Sequence, residues 1–244
     1  IIDEFSHYQF SHTNCMFQNF SEGKIPSILK YSKYQIDFYR IKIYRSMEYF
    51  QKDRKIKTNR ILSELDKFVL EFIQILEKYA DYVIISGYVS ILLGRTRTSE
   101  DIDVFIKKIS FEQFSELYQE LEEKNFWCIN AEDKKEIFNY LKDGLAVRFA
   151  KKNNSIPNFE VKFPKDKLDE MSFEDSIQVI TKKGVLKISS LERHIAFKEF
   201  YLGSEKDIED AKHIEELFKE KIDFNKINKI KELIKERKNK NEQH

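Results

Sequence analysis

Cysteine is nearly absent: Cys15 and Cys128 are the only two in 244 residues. Two cannot build a disulfide framework, and no Cys-x-x-Cys pair offers a structural zinc site. Both are read as free thiols of a reducing, cytoplasmic environment. Long apolar runs are missing too. The longest nearly apolar stretch, residues 82–94, falls short of the roughly 20 residues that span a bilayer, so no membrane partner is expected. The chain begins at Ile1 rather than Met, so the lack of a leader-like segment carries no weight. An excess of one charge sign is also lacking. Lys and Arg number 43 against 42 Asp and Glu, a net charge of +1. This argues against a surface coated in basic charge for nucleic acid and leaves local patches open. No internal repeat or low-complexity linker appears.

What is present suits a folded protein. Apolar residues make up 41% and aromatics 14% of the chain, enough for a sizeable core in one large domain or a domain with an appendage. Residues 1–57 interleave aromatics with Lys and Arg, as in "KYSKYQIDFYRIKIYRSMEYF". Such texture can stack bases and track phosphates, or it can be a strand pair or helix packed on the main domain. From residue 58 the pattern clears. Leu62, Leu65, Val69, Phe72, Ile73, Leu76 and Tyr79 form a helical stripe. "YVIIS" reads as a buried strand, "YVSILLG" as a short helix closed by Gly94, and "DIDVFIKK" as a strand with Ile102, Val104 and Ile106 on one face. Ser110 and Gln113 make a capping box for the next helix. "FWCIN" and "LAVRFA" are strands around a helix near 134–141 ended by Gly144, and "NFEVKF" is a strand between Pro157 and Pro164. "IQVITKKGVLKIS" is a hairpin turning at Gly184. The rest is helical: a helix capped by Ser189 with Glu192 and ended by Gly203, one capped by Ser204, and a basic helix over 225–240. The spacing divides the chain into an extension (1–57), an α+β core with a mixed β-sheet flanked by helices (58–190) and a C-terminal helical part (191–244).

The chemistry centres on residues 86–106. Asp101 and Asp103 stand two apart on a strand, so both carboxylates leave the same face. Like charges side by side are costly unless a cation lies between them, and a divalent metal, Mg²⁺ above all, fills that place beside substrate phosphates. A third carboxylate would complete a two-metal site. Glu160 offers one from "NFEVKF", with Asp166 or Asp169 as substitutes and a surface pairing with Lys162 as the structural alternative. Lys162 would meet a phosphate or neutralise the cluster. A strand ending in glycine before a helix presents backbone N–H groups to an anion, and Gly87 lets phosphate approach without a Cβ in the way. Ser86 and Ser90 add hydroxyls, Arg95 and Arg97 can grip a triphosphate, and Ser99 can orient Asp101 or touch phosphate.

In this arrangement the sequence resembles the nucleotidyltransferase superfamily, the polymerase-beta-like fold. The parts that carry the resemblance are "IISGY", "DID" and Glu160. "RTSEDID" is similar to the AbiEii-type and related minimal nucleotidyltransferases, and "AFKEFYLGSEKDIEDAKHI" resembles their C-terminal helices, with Lys198, Asp207 and Asp210 in the matching places. The likeness spans about residues 60–220. It implies an enzyme that moves an NMP from an NTP to a hydroxyl acceptor. Asp101, Asp103 and Glu160 would hold two Mg²⁺ ions, and Ser86, Gly87, Arg95, Arg97, Ser99 and Asp207 would hold the nucleotide. Lys198, Asp210 and Arg97 would support catalysis, Lys198 and Arg97 on the leaving pyrophosphate, and Glu160 would orient or deprotonate the acceptor. The acceptor would be RNA, such as a tRNA end, or a protein side chain, and the setting that of the toxin-like member of a toxin–antitoxin pair. Tyr88 departs from the Gly or Ser usual in that place. Its bulk would push the phosphate towards backbone donors and the arginines, or mark an inactive fold that serves as a binding or antitoxin module. His194 and His213 are assigned no role. The basic run 226–240 is read as a solvated helix, with RNA contact as the sharper alternative.

Overall fold

The structure, a computed structural model, describes residues 47–241. Expectations for residues 1–46, Cys15 among them, lie outside the described residues. The described part begins with strand β1 (Met47–Phe50), a 3₁₀ turn, strand β2 (Lys55–Thr58) and helix α1 (Glu64–Leu76). Strand β3 (Tyr82–Ile85), helix α2 (Gly87–Leu92), strand β4 (Asp101–Ile106) and helix α3 (Phe111–Glu123) follow. Next come β5 (Phe126–Cys128), α4 (Lys134–Lys142), β6 (Val147–Lys151), β7 (Asn158–Lys162) and α5 (Lys167–Glu174). The hairpin β8 (Ile177–Ile180) and β9 (Val185–Ile188) leads to α6 (Leu191–Ala196), a π-helical turn (Phe197–Leu202), α7 (Glu205–Leu217) and α8 (Phe224–Asn241). The nine described strands form one mixed sheet in the order β1-β2-β8-β9-β3-β4-β7-β6-β5.

Alternation sets the two faces of the sheet. Along β4, Ile102, Val104 and Ile106 are buried while Asp101, Asp103 and Phe105 are half-buried, because successive side chains leave a strand on opposite sides. Helices α1, α3 and α4 cover the apolar face. The Phe72 ring of α1 stacks on Phe159 of β7 at 3.9 Å between centroids, and its full burial contributes roughly 2–3 kcal/mol. α1 is fixed by a capping box in which Ser63 accepts from the Asp66 backbone and Asp66 accepts from the Ser63 N–H. Asp66 is fully buried and tolerates this because Arg60 pairs with it and the Tyr88 hydroxyl donates to its Oδ1 at 2.8 Å. Over the other face stand α5, α6 and the π turn.

Several sequence expectations shift. Within the extension expected over 1–57, the strand-pair reading holds for the described part: β1 and β2 pair antiparallel and join the sheet, β2 running one residue past that boundary. The helix expected from residue 58 begins at Glu64, because β2 runs through Thr58 and Ser63 supplies the cap. The short α5 was not foreseen. Its N-cap is Asp166, which accepts from the Asp169 N–H, while Asp169 binds Arg237; the strand that carries Glu160 lies where expected, so the condition for a substitute is not met. α6 is capped by Ser190 rather than Ser189, with Ser190 Oγ accepting from the Arg193 N–H. The helix expected to run unbroken to residue 202 widens to π geometry at Phe197. The capping box at Ser110, the cap at Ser204 and the helix-ending glycines Gly94, Gly144 and Gly203 stand where expected; the Ser204 cap proves to be a full box with Asp207. No described helix is long and apolar enough to cross a membrane.

Candidate active site

β4 and β7 run parallel with Asp101 opposite Asn158, Asp103 opposite Glu160 and Phe105 opposite Lys162. On the far side of β7, Arg148 of β6 pairs with Glu160. Period 2 therefore brings Asp101, Asp103, Asn158, Glu160, Lys162 and Arg148 onto one face. Asp103 and Glu160 would repel across this register. Lys162 lies between them, its Nζ 3.1 Å from Asp103 Oδ1 and 2.9 Å from Glu160 Oε2. Arg148 Nη2 donates to Glu160 Oε1 at 2.8 Å. Asn158 Nδ2 donates to Asp101 Oδ1 at 2.8 Å.

The two carboxyls respond differently. Burial pushes Asp103 up, the Lys162 ammonium works against that, and the negative Glu160 adds to it. Burial also works against the Glu160 charge, but hydrogen bonds from Arg148 and Lys162 outweigh it and hold Glu160 at about 2. At neutral pH such a carboxylate is a poor proton acceptor, which counts against the expected deprotonating role of Glu160.

The strand-to-helix corner beside this face is strained. Ser86 has φ 60° and ψ −141°, a conformation that L residues adopt at a cost of order 1–3 kcal/mol. Gly87 opens α2, and a Cβ there would lie 2.2 Å from Arg97 Nη2. The glycine therefore makes room for an arginine of the protein itself. Tyr88 points away from the corner. It is fully buried against α1, held by Asp66, and the expected intrusion into a phosphate site does not occur. The first turn of α2 sends its side chain inward. Ser90 is also buried, its Oγ 2.8 Å from His194 Nε2, so it is no phosphate donor. Burial, reinforced by the positive Lys198 and Arg97, pushes His194 down to about 3, which makes it a neutral, structural partner.

The C-terminal motif residues form a buried ion network. Lys198, 3% exposed at its side chain, places Nζ 2.6 Å from Asp207 Oδ1 and 3.1 Å from Asp210 Oδ2. Asp210, 0% exposed, also accepts from Arg97 Nη1 at 2.7 Å. Arg95 pairs with Glu209. Asp207 completes the Ser204 capping box. Burial opposes its charge, and hydrogen bonds from Lys198 and Ser204 overcome this and lower it.

A cavity of about 460 Å³ between the sheet face and α5, α6 and the π turn gathers Ser86, Asp103, Glu160, Lys162 and Lys198. Phe105, Leu145, Phe197, Tyr201 and Leu202 give it an apolar side. Asp101 adjoins it along β4 without lining it, and Asp207 and Asp210 sit behind Lys198. Arg95, Arg97 and Ser99 line a separate cavity of about 720 Å³, with Arg60. Ser99 Oγ donates to the Asp101 carbonyl at 2.9 Å rather than to its carboxylate. Thus four of the expected site residues, Ser86, Asp103, Glu160 and Lys198, share one cavity. Sequence reasoning missed Arg148 and Asn158. Strand parity was the available signal, since each falls on the same face as Glu160 once the strands are paired.

Among the described residues no three His, Cys, Asp or Glu side chains converge as a ready metal cage. The donor set is nonetheless that of a hard cation: carboxylate oxygens on one face. A cationic group of the protein already occupies the space between two of them.

No protein-family model matches the sequence, and no curated protein matches it. Solved structures to which the chain is similar include three that represent two proteins. The first, the solution structure of the antibiotic-resistance factor ANT(2'')-Ia, shares 14% identity over 73% of this chain and 95% of that one, with a TM-score of 0.48. The second, an antigenic nucleotidyltransferase-like protein from Paracoccidioides brasiliensis, shares 16% identity over 71% and 88%, with a TM-score of 0.44. The third, a crystal structure of ANT(2")-Ia in complex with adenylyl-2"-tobramycin, shares 14% identity over 71% and 96%, with a TM-score of 0.41.

Proposed function

We propose that this chain is a nucleotidyltransferase that moves an NMP from an NTP to a hydroxyl acceptor. One observation carries the proposal: Asp103 and Glu160, opposed on adjacent strands, open into the same cavity as the strained Ser86 corner and the buried Lys198. Mg²⁺ held by Asp101, Asp103 and Glu160 would offset phosphate charge and make the acceptor hydroxyl more acidic. Ser86, the corner residue that lines the cavity, contacts phosphate oxygens. Lys198, oriented by Asp207 and Asp210 and carried on a π turn of the kind often found at functional sites, balances charge on the leaving pyrophosphate. The acceptor oxygen bonds to the α-phosphorus, its proton passes to the Asp103 carboxylate, and the bond from the α-phosphorus to the bridging β-phosphate oxygen breaks. Alignment and charge placement supply most of the acceleration.

The likeness of "RTSEDID" and the tail motif to the AbiEii-type branch supports extending the proposal to a toxin-like role with a cognate partner, acting on RNA or protein. A second reading, a catalytically silent fold that serves as a binding or antitoxin module, is favoured by one fact. Asp101, Asp103 and Glu160 are all engaged by Asn158, Lys162 and Arg148. Calorimetric titration of the full chain with ATP, CTP, GTP and UTP, each with Mg²⁺, separates the two. Transferase activity requires binding of at least one, and binding of none supports the silent module.

A further inference from the structure

Among the charged groups of the cavity that the transfer chemistry leaves unused, Lys162 lies between the two opposed carboxylates. Its ammonium bridges Asp103 Oδ1 and Glu160 Oε2 at 3.1 and 2.9 Å. A magnesium ion held by the same two carboxylates would compete with the ammonium for them, so the two cations exclude one another. Resting on the transferase reading, we propose that Lys162 is an exchangeable resident cation. It neutralises the carboxylate pair in the metal-free protein, yields that place to the divalent ion, and turns its ammonium into the cavity to receive the anionic part of the nucleotide.

Three features support the exchange. Lys162 lines the cavity and keeps 27% of its side chain exposed, and its four-carbon stem lets the ammonium swing without moving β7. Glu160 retains Arg148 on Oε1, so it stays partnered when Lys162 leaves. Asp169, the other carboxylate lining the cavity, is bound by Arg237 at 2.8 Å. The displaced ammonium therefore finds its anion in a substrate phosphate. Metal and nucleotide thereby assist each other's binding through one side chain.

The probe is Mn²⁺ alone, titrated into the full chain and followed by the electron paramagnetic resonance signal of free Mn²⁺. Lys162→Met and Lys162→Gln, which remove the competing charge, are expected to bind Mn²⁺ about tenfold more tightly than wild type. Lys162→Arg should stay near wild type, and adding Asp103→Asn to Lys162→Met should abolish the gain. In wild type, Mn²⁺ should raise the acetylation of Lys162 read by mass spectrometry, a measurement that stands even where a variant fails to fold. Equal or weaker Mn²⁺ binding in the neutral variants, or unchanged Lys162 labelling, overturns the exchange. If that result comes with nucleotide transfer intact, the transferase reading survives; if neither Mn²⁺ binding nor transfer is seen, both fall.

Discussion

Adding a methyl group at Gly87 tests whether the glycine serves Arg97. The new Cβ would lie 2.2 Å from Arg97 Nη2 and 3.3 Å from Ser99 Oγ. Unbonded heavy atoms settle near 3.5 Å or more, so the guanidinium must withdraw by about 1 Å. That movement breaks its 2.7 Å bond to the buried Asp210. Loss of a hydrogen bond to a charged group costs about 1.5–3 kcal/mol. Lys198 remains 3.1 Å from the same Asp210 oxygen, so the carboxylate is not stranded and the larger cost of an unpaired buried charge is avoided. Gly87 is outside the left-handed region, and alanine in a helix recovers roughly 0.5–1 kcal/mol. Gly87→Ala should therefore destabilise by about 1–2 kcal/mol, or roughly 2–8 °C in Tm. A double-mutant cycle with Arg97→Ala, read by urea unfolding, isolates the contact. In the Arg97→Ala background the added methyl should be neutral or stabilising. An equal cost in both backgrounds would refute the argument.

Other outcomes follow from the same geometry. Tyr88→Phe removes the 2.8 Å bond to Asp66 and should cost about 1–2 kcal/mol in urea unfolding; because the ring faces α1, label transfer should be unchanged. Ser86→Gly relieves the φ of 60° and should raise stability by about 1 kcal/mol, while calorimetry shows weaker nucleotide binding. Stability should also fall on acidification below pH 6.5, because unfolded His194 takes up a proton there that the folded residue, held at about 3, refuses. The slope approaches about 1.4 kcal/mol per pH unit well below pH 6.5, so the loss between pH 6.5 and 4.5 is about 2 kcal/mol. His213, also lowered by burial, acts in the same direction, so a flatter pH profile in His194→Gln isolates the His194 share. Glu160 adds its own loss only at lower pH, as it is protonated between its ordinary value and about 2.

The sheet and most helices were legible because burial of one face imposes a period on the sequence. Ile102, Val104 and Ile106 announce β4, and Ser110 with Gln113 announces α3. β1 and β2 were legible only as a strand pair among other readings, because four-residue strands near a sheet edge carry too little alternation to fix their bounds. The π turn escaped because its residues keep a helical pattern. Ser86, Asp103, Glu160 and Lys198 share one cavity while Arg95, Arg97 and Ser99 line another, and their partners were hidden by sequence distance. Arg97 meets Asp210 across 113 positions and Tyr88 meets Asp66 across 22. Nothing local told that Gly87 makes room for a guanidinium, or that Tyr88 turns inward.

The most direct test follows two labels through one reaction. The full chain is incubated with Mg²⁺, total RNA or lysate protein, and NTPs carrying ³²P at either the α- or the γ-phosphorus. The account predicts that the α label enters one acceptor fraction, that the γ label leaves only in pyrophosphate, and that Asp103→Asn abolishes the transfer. Transfer of the γ label, or α labelling undiminished in Asp103→Asn, would contradict it.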